Sequence, residues 1–246
     1  MSTRGSLKNA LITAGFLLGS NLFAGQLMPI SYSMNNGDSH SFKTFHDDTY
    51  NGSGSPTTDT SFLSGGLGQL TDGLFGNDNF LDTGCGGGSI VSYCWVGWVS
   101  TNPVTITFDF GAVKNLSQVN VHGSDWNTDQ IRFWDTAVYS FSNDGVAFGN
   151  TITRETVAGD HIPVAGDPVH NTAHFINQDV TEAARYVQIQ LSPTFNDGTN
   201  AGRFIFVDEV QFFGPDAVGG ETPEPATMTM LAGGLLAGLY FRRRNA

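Results

Sequence analysis

The chain has 246 residues, enough for one sizeable domain plus end segments. It is acidic (net charge −12) and sparsely charged, and it is rich in glycine (31) and phenylalanine (19), a mix that suits an all-β domain with many turns rather than a helical one. Residues 25–220 hold 21 of the 23 acidic residues and six of the 11 basic ones; this excludes the basic face that nucleic-acid phosphates require.

Taken in chain order, "MSTRGSLKNALITAGFLLGSNLFAG" has the layout of a secretory signal peptide. Arg4 and Lys8 form a basic start, an apolar stretch runs from Ala10 to Phe23, and Ala24 marks the cleavage site. The rival readings are a membrane anchor or a buried helix, but the run is short of the ~20 residues a span needs. Residues 25–214 read as one domain, and their first part is turn-rich and poor in apolar residues. Long surface loops are expected there, with short strands around Ser41–Phe45. Cys85 and Cys94 are the only cysteines, and an even count in an exported chain implies one disulfide. Zinc is the rival, poorly served by two cysteines with no nearby histidine.

Clear strands follow. In "VTITFDFG", Val104, Ile106, Phe108 and Phe110 face one way, and Thr105, Thr107 and Asp109 the other. "QVNVHG" continues the pattern with Val119 and Val121. "TAVYSFSNDG" is a strand running into an Asn-Asp-Gly turn. "ARYVQIQLS" places Val187, Ile189 and Leu191 on one face, with Arg185 at its margin. "RFIFVDEVQFFG" is aromatic on both faces and reads as a central strand. The spacing predicts a β-sandwich of jelly-roll type.

"HGSDWNTDQIRFW" gathers the side chains a sugar site uses: His122, Trp126, Asn127, Asp129, Arg132 and Trp134. Loops on a rigid sandwich are where such residues concentrate. The bland alternative is that Trp126 and Trp134 pack beneath the loop and Arg132 pairs with Asp129 or Asp135. Trp95 and Trp98 read as core or rim residues. No G-x-S-x-G, H-E-x-x-H or P-loop is present, and no catalytic residue is assigned.

The ordered set "LTDGLFG", "WVGW", "VTITFDFG", "VNVHG", "VYSFSNDG", "ARYVQIQL" and "VDEVQFFG" resembles the discoidin, or coagulation-factor 5/8 type C, domains of the galactose-binding-like fold, over roughly 70–214. Asp72–Gly73, Trp95 or Trp98, Phe108–Gly111, Ser142–Gly145, Ala184–Val187 and Glu209 fill the family's places. The Cys85–Cys94 stretch and the region before Leu70 depart from that pattern. The resemblance implies a structural calcium where the Asp-Gly turn meets the last strand. Asp72 and Glu209 would hold it, with Asn77 or Asp78 adding an oxygen. Otherwise Asp72 caps a turn and Glu209 faces solvent.

Residues 215–222 form a Gly/Pro/acidic linker. The apolar run Thr227–Phe241 would reach about 22 Å as a helix, short of the ~30 Å hydrocarbon core. Residues 223–246 resemble the PEP-CTERM sorting tail, with Pro223, Glu224 and Pro225 as its motif and Arg242, Arg243 and Arg244 as its basic cluster. The resemblance implies an exosortase-like membrane protease as partner, transient inner-membrane anchoring, and release to the envelope, outer surface or extracellular matrix. The rival is a plain tail anchor. The sequence thus points to an exported, noncatalytic protein that binds extracellular polysaccharide or another glycan. The alternatives are a structural surface protein without a specific ligand, and a polysaccharide-active hydrolase or lyase.

Overall fold

A computed structural model describes residues 25–41, 43–83, 93–99, 103–126, 129–193 and 204–215. The signal segment with Ala24, Cys85, Asn127, most of the linker and the sorting tail with its motif and arginines lie outside the described residues. The described residues form twelve strands: β1 (Gly25–Leu27), β2 (Ser31–Asn35), β3 (Ser39–His40), β4 (Lys43–Thr44), β5 (Phe62–Gly66), β6 (Val96–Val99), β7 (Val104–Trp126), β8 (Thr136–Ser142), β9 (Gly149–Glu155), β10 (Pro163–Val164), β11 (Asp167–Ser192) and β12 (Phe204–Gly214). Every strand pair is antiparallel.

The frame is a long ribbon of β7 and β11, paired from Val104↔Leu191 to Trp126↔His170. Its two halves belong to different layers. One layer runs β5–β2–β7–β11–β8–β9 through residues 104–109 of β7. The other runs β12–β7–β11–β10 through the later half of β7, with β1 and β6 both pairing to β12. The ribbon bends between them. Gly111 takes a left-handed φ of 72° there, and β11 shifts register between Asp179 and Glu182 and again between Ala184 and Tyr186. The layers face each other across one core: Phe212 of β12 meets Phe108 and Phe110 of β7 with ring centroids 4.9 and 5.0 Å apart. The expected all-β sandwich is the observed fold, and β12 is central, buried from Phe204 to Val210.

Two readings change. The first part of the domain carries a largely exposed loop over 51–61, as expected, but it also contributes to the core: Tyr32, Met34, Phe45, Tyr50 and Leu63 are buried, as are the polar Asn36, His46 and Asp47. Those polar groups act as internal ties. The Asn36 amide donates to the Pro56 carbonyl (2.9 Å) and accepts from the Gly37 and Asp47 amides, while Asp47 accepts from Tyr32 and from the Gln69 amide. Burial raises the Asp47 carboxyl to about 6. Arg185 also leaves the inner face. The bulge at Ala184/Tyr186 turns it outward, where it holds the outward Asp109 through two hydrogen bonds of 2.8 and 2.9 Å.

Among the described residues no helix is long and apolar enough to cross a membrane.

Because Phe212 joins the two layers, Phe212→Ala should lower unfolding stability by about 3–5 kcal/mol in urea titration, and a loss below about 1 kcal/mol would contradict this packing.

Candidate functional site

A hairpin of two very short strands sets one wall of the site. β3 and β4 pair at Ser39↔Thr44 and His40↔Lys43. Backbone bonds tie this hairpin to β6: Asp38 N–H to the Gly97 carbonyl (2.8 Å), and Gly97 N–H to the Phe45 carbonyl (2.9 Å). The Asp38 carboxylate also accepts from the Val99 amide at 2.9 Å. Close packing allows only glycine at 97, where a Cβ would lie 2.0 Å from the Phe206 ring. The opposite wall is the turn at Asp129–Ile131, pinned to the start of β12 by Phe204 N–H to the Gln130 carbonyl and Arg132 N–H to the Phe204 carbonyl (3.2 Å each).

Between these walls lies a cleft of about 260 Å³. Its floor is aromatic. Phe45, Phe80, Phe204 and Phe206 belong to a second, smaller core cluster with Trp95, Ile131 and Cys94. Cys94 is disulfide-bonded, and Cys85, the other cysteine of the chain, lies outside the described residues. The rim is polar: His40, Ser41, Lys43, Asp129 and Gln130. Lys43 Nζ stands 5.3 Å over the Phe80 ring, and the His40 ring meets Phe204 edge-on at 5.1 Å. Ser41 (φ 51°) and Gln130 (φ 65°) are two of the four non-glycine residues with left-handed backbone among the described residues. Such backbone costs energy and clusters where a ligand is held. Phe45, Phe80, Phe204 and Phe206 are themselves buried, so the cleft offers a ligand chiefly its rim: a cation, a carboxylate and an amide.

The stretch singled out in the sequence is divided by the fold. Asp129 lines the cleft. Trp126 is half-buried and stacks on His170, with centroids 3.6 Å apart. Arg132 reaches toward Asp125 (3.7 Å). Trp134 is fully buried in the main core, and His122 is buried between β11 and β12. His122 shares a 2.6 Å hydrogen bond with Asp208 and stacks on Trp95. Neither Trp134 nor His122 presents an open face to a ligand: Trp134 is packed into the main core, and His122 sits where β7 is flanked by β11 and β12. His40 and Lys43 were missed: two-residue strands carry no alternation to mark them.

The Asp72–Gly73 turn does meet the last strand. Glu209 is buried and accepts from the Gly73 amide at 3.1 Å, while its other oxygen, Oε1, is buried without a hydrogen-bond partner. Burial, with Asp72 and Asp208 nearby, pushes the Glu209 carboxyl up to about 8. Burial also raises Asp72, which caps the Leu74 amide at 2.8 Å. Asp78 points elsewhere and accepts from the Ala173 amide of β11 at 2.9 Å. The expected trio Asp72, Asp78 and Glu209 is thus reduced to a pair, and among the described residues no three His, Cys, Asp or Glu converge on a metal position.

A two-layer antiparallel sandwich with the Asp-Gly turn against its last strand is the arrangement expected of a discoidin-type domain. Residues 29–213 match the family described as discoidin domain-containing receptor 1/2, DS-like domain, and the chain belongs to that family. The match reaches back through the region before Leu70, in agreement with the buried residues found there. Residues 221–244 match the PEP-CTERM protein-sorting motif. The chain is 26% identical over 186 residues to the discoidin domain-containing receptor tyrosine kinase B of Caenorhabditis elegans, covering 74% of this chain and 20% of that protein. It therefore spans about a fifth of that relative's length. Among solved structures it overlaps CpGH89CBM32-6 produced by Clostridium perfringens (14% identity, 58% of this chain and 81% of that one, TM-score 0.33). It also overlaps a Streptococcus pneumoniae fucose binding module, SpX-3 (12% identity, 49% and 72%, TM-score 0.31). These overlaps are partial, and the fold rests on the sheet pairing and the family match.

The sign of the Glu209 effect on stability is definite. Its folded value of about 8 lies above the ordinary 4.5, so the folded state holds a proton that the unfolded state releases. Stability should fall as pH rises from about 4.5 toward about 8, by at most about 1.4 kcal/mol per pH unit from this group, and level off above. Glu209→Gln keeps an acceptor for Gly73 and should flatten that slope in EDTA; urea midpoints that decline identically in both proteins would contradict the assignment.

Proposed function

We propose that this protein is an exported glycan-binding protein of the cell surface or extracellular matrix, that it acts without catalysis, and that the aromatic cleft is where it binds. The observation that carries this reading is the cleft itself. Phe45, Phe80, Phe204 and Phe206 close its floor with buried apolar side chains, and His40, Lys43, Asp129 and Gln130 supply convergent polar groups. Sugars need both, because a pyranose has apolar C–H faces and a hydroxyl edge. Hydrolysis of a glycoside uses two carboxyl groups flanking the bond; Asp129 is the one carboxylate among the described residues lining this cleft.

The sorting motif supports the rest of the reading. A signal peptide cut after Ala24 would deliver the chain to export. The apolar run Thr227–Phe241 would hold it briefly in the inner membrane, with Arg242, Arg243 and Arg244 on the cytoplasmic side. An exosortase-like membrane protease would then act near Pro223-Glu224-Pro225. Trp126, Asn127 and Arg132 flank Asp129 in sequence and would extend the contact.

Calcium belongs to the proposal through Asp72 and Glu209. Their carboxylates are donors of the kind calcium takes, and Glu209 Oε1 has no other partner. When bound it would neutralise the pair and tie the Asp72–Gly73 turn to β12.

Two measurements test these assignments. In native gels containing the producing organism's own exopolysaccharide, the full-length chain in detergent should be retarded. Lys43→Ala and Asp129→Ala should each weaken binding about tenfold, or about 1.4 kcal/mol. Unchanged mobility of both variants would sink the cleft assignment. Thermal unfolding should shift upward in calcium relative to EDTA in the wild type and not in Glu209→Gln; equal melting in both buffers would remove the metal.

A further inference from the structure

A second concave surface lies beyond the hairpin, on the outer face of the layer that contains β5, β2 and the first half of β7. It is a groove of about 520 Å³, within the ~300–1,000 Å³ typical of ligand sites. Ser33, Asn35, Thr105, Thr107 and Gln188 line it, beside the ring of Phe62. Strand alternation explains the set: Met34, Leu63, Ile106 and Val187 point into the core, so their neighbours point out.

Several features mark this face as more than ordinary solvated sheet. Phe62 is 62% exposed, and it sits opposite Asn35 in the β2–β5 pairing. Ser33, Thr107 and Gln188 lie in one cross-strand row, Ser33↔Thr107 and Thr107↔Gln188. Gln188 Nε2 donates to Thr107 Oγ1 at 3.1 Å, which fixes both side chains and leaves the threonine hydroxyl able to donate outward. Thr60, another of the non-glycine residues with left-handed backbone (φ 56°), stands at the groove's rim. The Trp98 indole donates to the Asn35 carbonyl at 2.9 Å and stiffens the floor.

We propose that this groove is a second glycan site, which takes a neutral sugar chain lying across the strands. It rests on the reading of the protein as glycan-binding but not on the aromatic cleft. Hydroxyls and amides match a hydroxyl-rich ligand, and Phe62 offers a ring for one pyranose face. Among the described residues no Lys, Arg or His lines the groove, and Asp38 is its one ionisable side chain. An anionic sugar would find no counter-charge there. An extended peptide added to the sheet is disfavoured too, because β2 is paired on both sides and the outer side of β5 is bridged by Ser53 to Ser64. Side chains must do the recognising.

The test uses the full-length chain in detergent, run in native gels containing laminarin, galactomannan or xyloglucan as neutral polymers and alginate as an anionic one. At least one neutral polymer should retard the wild type. Phe62→Ala and Gln188→Ala should each weaken that binding about tenfold, and Phe62→Trp should restore it. Phe62 is exposed, so its replacement leaves the core packed. The proposal is overturned if no neutral polymer retards the chain, if Phe62→Ala runs as the wild type, or if Asp129→Ala alone abolishes the binding. Alginate binding that depends on Phe62 would overturn the neutral class. Failure of the aromatic cleft reads differently, as exopolysaccharide binding indifferent to Lys43 and Asp129.

Discussion

The antiparallel pairing of β7 with β11 is the constraint on which the other elements depend. One ribbon serves both layers, so every other strand takes its position from it. β2 and β8 attach to the first half, and β12 and β10 attach to the second. The bend at Gly111 and the register shifts in β11 bring the halves face to face. Without that bend, Phe108 and Phe110 could not meet Phe212, and the main core would not close. The same bulge that bends β11 turns Arg185 out to Asp109, which pins the ribbon at its corner.

The aromatic cleft depends on the ribbon at one remove. β12 pairs with β7, β6 pairs with β12, and the β3–β4 hairpin is tied to β6 through Asp38, Phe45 and Gly97. The turn at Gln130 is tied to Phe204. Each wall is therefore set by main-chain bonds, and these bonds place the backbone that carries His40, Lys43 and Asp129. Rigid placement lowers the entropy cost of holding a ligand. The buried His122–Asp208 pair beneath, with Asp208 also accepting from the Gly76 amide, reads as an internal tie of the Asp-Gly loop to β7 and β12.

Much of the sandwich was legible in the sequence where one face is dry and the other wet. Val104, Ile106 and Phe108 against Thr105, Thr107 and Asp109 show this most plainly, and the Asn-Asp-Gly turn after β8 ends with Gly145 at φ 74°. Legibility fails where burial is achieved by polar groups. Asn36, His46 and Asp47 look like loop residues, yet each is buried and bonded, so the first part of the domain read as surface. It also fails where a strand continues through a bend: nothing in "GAVKNLS" announces that β7 runs through it. Of the binding stretch, Asp129 lines the cleft, but Trp134 and His122 were drawn inward because sequence proximity says nothing about which face a neighbouring strand covers. His40 and Lys43 lie almost ninety residues earlier and join Asp129 only through the fold.

The most direct test of the central claim is to map the contact itself. Oligosaccharides cut from the producing organism's exopolysaccharide should be titrated into the isotope-labelled full-length chain in detergent, and amide shifts followed by NMR. The largest shifts are expected at residues 39–45, 129–132 and 204–206, around the aromatic cleft. Saturable shifts confined to other parts of the surface, or no shifts at any concentration, would contradict that claim.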